Sequence, residues 1–365
     1  MSAQQNFESG LTDDNQTINF TSTIPSGALG SGIAGCHSNI TATVQYPQYL
    51  QIMAFVIGVP VIIFGCIGNF MTLLTLFKTP VLQTPANVFL MSLALSDILQ
   101  CTVTIPIQLT VYLCQSWPFS DTFCRVYLFL NLTFVGATMW CVAATALGRH
   151  FKIIYSTLYA KFFNRRRKAF AIVGICWTIP VVVLLPTLFG VWGEFECKEG
   201  NVSCALKQLE DSQFGLFGTL FIVSSLIIPL GIILYSYLRI YCVVMSNHRR
   251  VHAMKQVHTR ISHIHQKGAA QKSNSKNQEH REDIHFTKTM MCIFTICMIC
   301  YFPYLTVSLI HPFFGVNVNA SHIASMCVWV SASLNPVVYV LRNRRFRAAF
   351  VKMLRSRGAS IHTNI

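Results

Sequence analysis

Charged side chains are scarce in this chain and acids are scarcest, with 13 Asp and Glu against 28 Lys and Arg in 365 residues and only 11% of residues charged. Soluble domains carry about a quarter of their residues as charges, so a water-facing surface over most of the chain is excluded. An N-terminal basic stretch followed by an apolar core is also missing. Residues 1–48 are polar and rich in Ser, Thr and Gly, so no cleaved signal peptide is expected and the first apolar run must itself direct insertion. No inverted repeat of the transporter kind is visible. Within the apolar runs there is no pair of acids, no His cluster and no nucleophile beside a base, so an intramembrane enzyme has no chemistry to work with.

What the chain has instead is seven apolar runs, at 49–77, 86–113, 123–154, 169–188, 214–244, 286–310 and 322–341. A helix needs about 20 mostly apolar residues to cross a bilayer, and each run is consistent with that length. Pro60, Pro106, Pro186, Pro229, Pro303 and Pro336 lie inside the runs, which a bundle tolerates because neighbouring helices satisfy the carbonyls that proline leaves free. The expected fold is all-α: a seven-transmembrane helix bundle over 49–341, preceded by an extracellular segment 1–48. A third cytoplasmic loop at about 246–285 and a cytoplasmic tail 342–365 complete it.

Basic residues beside spans are retained in the cytoplasm. Sorted by segment, 24 of the 28 fall after spans one, three, five and seven, while nine of the 13 acids fall on the other side. The expected orientation is therefore N-terminus outside, in a multi-pass protein of the plasma membrane. The net charge of +15 reads as topology plus affinity for anionic inner-leaflet lipid, not as nucleic-acid binding. Glycosylation acceptors at Asn15, Asn19, Asn39, Asn201 and Asn319 all fall on the outer side. His258, His263 and His265 sit in the third loop without a Cys or acid to complete a metal set, so that loop reads as solvated and basic.

Ten of the 14 cysteines lie within or close to the spans, where a thiol packs as a small apolar group. Cys36, Cys124, Cys197 and Cys204 face an oxidising exterior that favours disulfides. Cys124 begins span three, and a bond from it to the loop after span four would pin that loop over the bundle mouth. Cys36 with Cys197 is a candidate second bridge.

An ionisable group inside a membrane is costly unless paired or functional. Asp97, mid-span in Leu93-Ala94-Leu95-Ser96-Asp97, is such a group. Asn69, Thr138, Ser331 and Asn335 are the candidate donors around it. Two readings stay open: a structural hydrogen-bond hub, and a hydrated pocket for a monovalent cation, sodium, that stabilises one conformation.

Gly68-Asn69, Leu93-Ala94-Leu95-Ser96-Asp97, Trp117-Pro118-Phe119 before Cys124, Gly148-Arg149-His150, Trp177 with Pro186, Pro229 with Tyr237, Cys300-Tyr301-Phe302-Pro303 and Asn335-Pro336-Val337-Val338-Tyr339 follow one another at fixed places in the seven spans. Together they resemble the rhodopsin-like, class A G-protein-coupled receptors. The stretch from Ala144 to Ile153, with Gly190-Val191-Trp192-Gly193 leading to Ser203-Cys204, is most similar to the branch holding melatonin receptors and the invertebrate Moody and Tre receptors. Melatonin receptors usually carry Ala in place of the span-seven Pro, and Pro336 departs from that, which argues against melatonin as ligand.

The resemblance implies a receptor that moves between inactive and active bundles, with extracellular ligand shifting the populations toward a heterotrimeric G protein. Activation residues would be Arg149, Tyr237, Asp283, Asn335, Pro336 and Tyr339. It implies a Cys124–Cys204 bridge, arrestin and receptor kinases as further partners, and an amphipathic eighth helix at about 343–354 lying on the inner membrane surface. Phe346, Phe350 and Leu354 fall at helical spacing there, with no Cys for palmitoylation. Opsins resemble one another in a span-seven Lys, absent here from 322–341, and amine receptors in a span-three Asp where this chain has Asn131. The expected ligand pocket, Asn131, Val135, Phe221, Tyr301, Tyr304, Ser308 and Ser325, therefore suits a small neutral or amphipathic molecule. No cofactor other than the sodium ion is expected.

Gly148 is the sharpest departure, because relatives place an acid or Asn before the Arg. The resemblance then implies a weakened hold on Arg149 and high basal signalling unless Asp283 or Glu282 compensates; tight helix packing is the competing reason for a glycine. The runner-up for the whole chain is a non-signalling polytopic protein such as a transporter or scramblase.

Overall fold

The computed structural model describes residues 46–115, 117–191, 195–197, 204–206, 218–261, 291–292, 294–310, 317–342 and 346–352. Six helices in it are long and apolar enough to cross a membrane: Gln48–Lys78, Pro85–Cys114, Asp121–Ile154, Arg166–Leu188, Gly218–Ser246 and Asn319–Leu341. They are spans one to five and seven. The described part of span six is the shorter apolar helix Phe294–Ile310. Residues 286–290, expected at its inner end, lie outside the described residues, as do 1–45 and 262–285.

Span one packs on spans two and seven, and span three packs on two, four and five. Span three is accordingly the most enclosed long helix, with Thr133 to Met139 buried without a break. Ser120 starts it, its hydroxyl accepting from the Phe123 amide, and Asp121 stands in the first turn where the helix dipole favours an acid. Span one buries one face and presents Val56, Ile63, Phe64 and Ile67 outward, as expected where the outer solvent is lipid.

Proline explains the two irregular helices. Span two contains a π turn at Gln100–Thr104 and span five one at Val223–Ile227. In each case a proline follows two residues later, Pro106 and Pro229. Its missing N–H and its ring disrupt the ladder one turn back, and widening that turn absorbs the break.

Span seven solves the same problem with a side chain from another helix. Pro336 cannot donate to the Ala332 carbonyl, and Asn69 Nδ2 of span one does so at 2.8 Å. The adjacent Gly68 permits the approach: a Cβ there would lie 2.9 Å from Cβ and Cγ of Pro336. The Gly68-Asn69 pair thus provides room for the proline and a donor for the carbonyl it orphans.

Between spans three and four lies a short loop helix, Ser156–Phe162. Between spans four and five, two strands, Phe195–Cys197 (β1) and Cys204–Leu206 (β2), pair antiparallel with Cys197 opposite Cys204. The Cys124–Cys204 disulfide, with Cα atoms 5.7 Å apart, ties β2 to the start of span three. Beyond span seven, residues 346–352 are helical, with buried Phe346 against Tyr339 at 5.9 Å and Phe350 beyond it at 6.0 Å.

Candidate functional site

Three layers of the bundle carry the residues singled out from the sequence. The middle one is polar. Asp97 is buried, and Asn335 Nδ2 donates to its Oδ2 at 2.9 Å, joining span two to span seven. Around this bond the other candidates have partners of their own. Ser96 and Thr138 hydroxyls lie 2.8 Å apart, Ser331 donates to Cys297 Sγ at 3.6 Å, and Asn69 bonds the Gly65 and Ala332 carbonyls. Of the four donors grouped with Asp97, then, Asn335 is the one that bonds its carboxylate, while Thr138, Ser331 and Asn69 bond elsewhere. The remainder connect spans one, two, three, six and seven in one buried polar layer.

At the end of the bundle where span three finishes, Arg149 is buried, and Tyr237 of span five is buried as well. Tyr237 and Tyr339 share one apolar cluster with Val142, Ala146 and Cys297, and Tyr237 faces Phe294 of span six at 5.3 Å. Spans three, five, six and seven therefore meet in one apolar cluster at the end of the bundle that carries Arg149. Asp283 and Glu282 lie outside the described residues.

On the other side of the polar layer, Val135, Tyr301 and Tyr304 come together in one apolar cluster with Met139, Leu226 and Leu305. Phe221 falls instead in the outer cluster, with Trp117, Tyr127, Leu128 and Cys204. Tyr304 hydrogen-bonds Ser308 one turn on. Ser325 turns its hydroxyl to the Ser321 carbonyl of its own helix, and Asn131 is half-buried in span three. Four of the seven pocket candidates thus fall in two apolar clusters rather than one.

Several polar contacts were not singled out in the sequence. Tyr112 donates to His322 Nδ1 or accepts from it at 2.8 Å, with Tyr46 packed on both rings. Tyr127 donates to Gln108 at 2.9 Å. The Tyr301 hydroxyl meets the Gln100 side chain in the π turn of span two. Each involves a polar group within an apolar run, a signal that was available. Asn319 is half-buried in the first turn of span seven; Asn15, Asn19, Asn39 and Asn201 lie outside the described residues, as does Cys36. No group of three or more metal-ligating side chains occurs among the described residues.

A helix bundle with a buried arginine closing span three, and Tyr237 and Tyr339 buried in one cluster near that end, has relatives. The family model described as 7 transmembrane receptor (rhodopsin family) matches residues 68–339, and the chain belongs to that family of G-protein-coupled receptors. It is a receptor and not an enzyme. Protein trapped in endoderm-1 of Drosophila melanogaster is 26% identical over 84% of this chain and 79% of its own length. The G-protein coupled receptor moody of the same organism is 26% identical over 84% of this chain and about half (51%) of its own. The likeness to Moody drawn from the end of span three is thus met. The crystal structure of squid rhodopsin superimposes with a TM-score of 0.71, at 24% identity, covering 85% of this chain and 87% of that one, which shows the fold.

Proposed function

We propose that this receptor sits in the plasma membrane with its N-terminus outside and responds to an uncharged or amphipathic small ligand. The observation that carries the ligand class is one of charge. Among side chains described, the carboxylates are Asp97 and Asp121, and Asp121 is exposed at the start of span three. Among the described side chains in the outer half of the spans there is no carboxylate to serve as counter-ion for a buried cationic ligand, and burying an unpaired charge is strongly unfavourable. Val135, Tyr301 and Tyr304 offer instead an apolar, aromatic lining with hydroxyls for orientation.

Ligand energy acts through its differential affinity for the two bundles. In the account proposed here, Arg149, Tyr237, Asn335, Pro336 and Tyr339 carry the change to the cytoplasmic crevice, with Asp283 as a candidate restraint. A sodium ion beside Asp97 would favour the inactive bundle; Thr138 and Ser331 are near neighbours that would have to leave their present partners to ligate it. Exposed Arg347 and Lys352 opposite buried Phe346 suit residues 346–352 to an anionic inner leaflet. Arrestin and receptor kinases are further partners of this reading.

The test is a ligand screen read by nucleotide exchange on co-expressed G proteins, with neutral lipophilic and cationic amine sets matched in size. Agonists drawn from the neutral set, weakened by Tyr301→Ala or Val135→Ala, support the proposal. An amine agonist whose potency follows its protonated fraction would overturn it.

A further inference from the structure

Gly148 precedes Arg149, is buried, and has no side chain with which to hold the arginine. Its surroundings give it a different task. A Cβ at Gly148 would lie 3.2 Å from Cδ1 and 3.3 Å from Cε1 of Phe163. That is closer than carbon atoms pack comfortably, so a Cβ would already press on the ring of Phe163, and a longer side chain would have to displace it.

Phe163 closes the loop helix Ser156–Phe162, its amide bonding the Tyr159 carbonyl at 2.8 Å. None of the helix's own seven residues is buried, whereas Phe163 is 5% exposed. Its ring stacks on Tyr159 at 6.3 Å, meets Phe151 of span three edge-on at 5.8 Å and Phe89 of span two at 6.2 Å. Val88, Cys141, Ala144, Ala169 and Cys176 complete the cluster, so Phe163 belongs to an apolar core built by spans two, three and four. A seven-residue helix does not hold itself together in water. Its N-terminal end continues from span three through the Tyr155 amide to the Phe151 carbonyl, and Phe163 fastens the other end. Tyr155, Leu158 and Phe162 remain exposed on the helix.

We propose that Gly148 and Phe163 form a socket and plug that position the second cytoplasmic loop for coupling to the G protein. Gly148 is there because the plug needs the space, and the orientation of Tyr155, Leu158 and Phe162 toward the cytosol depends on the plug being seated. Both are positioning residues. A larger residue at 148 unseats the ring whatever its charge, and so an acid at this place releases the loop before it can restrain Arg149.

The experiment uses the full-length receptor in lipid nanodiscs. Gly148→Leu, Phe163→Ala, the double variant, Gly148→Asp and the conservative Phe163→Leu are compared at equal amounts of folded protein. One readout is amide hydrogen exchange over residues 156–163. The other is agonist-free nucleotide exchange on purified heterotrimers, one from each G-protein class. Each of Gly148→Leu and Phe163→Ala is expected to speed loop amide exchange at least tenfold and to slow nucleotide exchange several-fold. The double variant, in which Leu fills the vacated socket, recovers much of both, and Phe163→Leu stays near wild type. Gly148→Asp follows Gly148→Leu in both readouts. Wild-type loop amides that exchange as fast as an unfolded peptide would overturn the proposal. So would a double variant as impaired as the two singles combined, collapse of loop protection with no change on any heterotrimer, or a Gly148→Asp receptor that signals less with its loop still protected.

Discussion

Replacing Asn69 with Ala should cost this receptor stability for a reason that lies on another helix. The Asn69 amide donates to two carbonyls, Gly65 at 2.9 Å and Ala332 at 2.8 Å. Gly65 keeps its regular helical partner, the Asn69 backbone N–H, so that loss is minor. Ala332 has no such reserve, because Pro336 occupies the position whose N–H would serve it. Leaving a buried acceptor unsatisfied costs about 1–3 kcal/mol. At about 2–4 °C per kcal/mol for a folded unit of 150–250 residues, Asn69→Ala should lower the melting temperature in nanodiscs by about 2–12 °C. The cycle with Pro336→Ala isolates the cause: alanine restores the N–H at 336, so the Ala332 carbonyl is served within its own helix and removing Asn69 should cost about 1 kcal/mol less. Melting of all four proteins by intrinsic tryptophan fluorescence measures it. A coupling below about 0.5 kcal/mol, the scatter expected of independent sites, would refute the reasoning and leave Asn69 as ordinary packing.

Cys124→Ala frees β2 from span three, and cell-surface expression or ligand response should fall well below wild type. Peptide mapping of the native protein should recover Cys124 joined to Cys204, and a Cys124–Cys197 peptide would contradict the structure. Asp97→Asn keeps a polar partner for Asn335 while removing the charge a cation needs, so any sodium dependence of agonist affinity should disappear with surface expression intact; unchanged sodium dependence would leave the layer a purely structural hub. Gly136→Leu drives a side chain into Pro180 of span four, since even a Cβ would lie 2.8 Å from the Pro180 Cβ; destabilisation of about 1–3 kcal/mol should appear as a lower melting temperature, and an unchanged one would show that span four moves aside freely.

The spans were legible because their physics is one-dimensional: a run long enough to cross a bilayer and short of charge has few alternatives. The span-four loop disulfide was also foreseen, through family likeness. The π turns at Gln100–Thr104 and Val223–Ile227 were not, although Pro106 and Pro229 announce a break, because a proline does not say whether its helix will kink, widen or borrow a donor. Asn69 illustrates the limit differently. The sequence grouped it with Asp97 as a polar residue at similar depth, while its amide serves Ala332 across the bundle. Thr138 and Ser331 were likewise grouped by depth and are drawn to Ser96 and Cys297. At Gly148 the sequence offered two explanations, a missing restraint on Arg149 and tight packing, and the nearness of Phe163 supplies the second. That contact depends on how a loop folds back, which no periodicity encodes.

The most direct measurement is expression-dependent nucleotide exchange on co-expressed heterotrimeric G proteins of every class, with and without the neutral ligand set, for the wild-type receptor and Arg149→Ala. The account predicts exchange above vector control for at least one class, lost in Arg149→Ala at equal surface expression. A wild-type protein folded at the surface that stimulates no class under any condition, or an Arg149→Ala variant that signals as well as wild type, would contradict it.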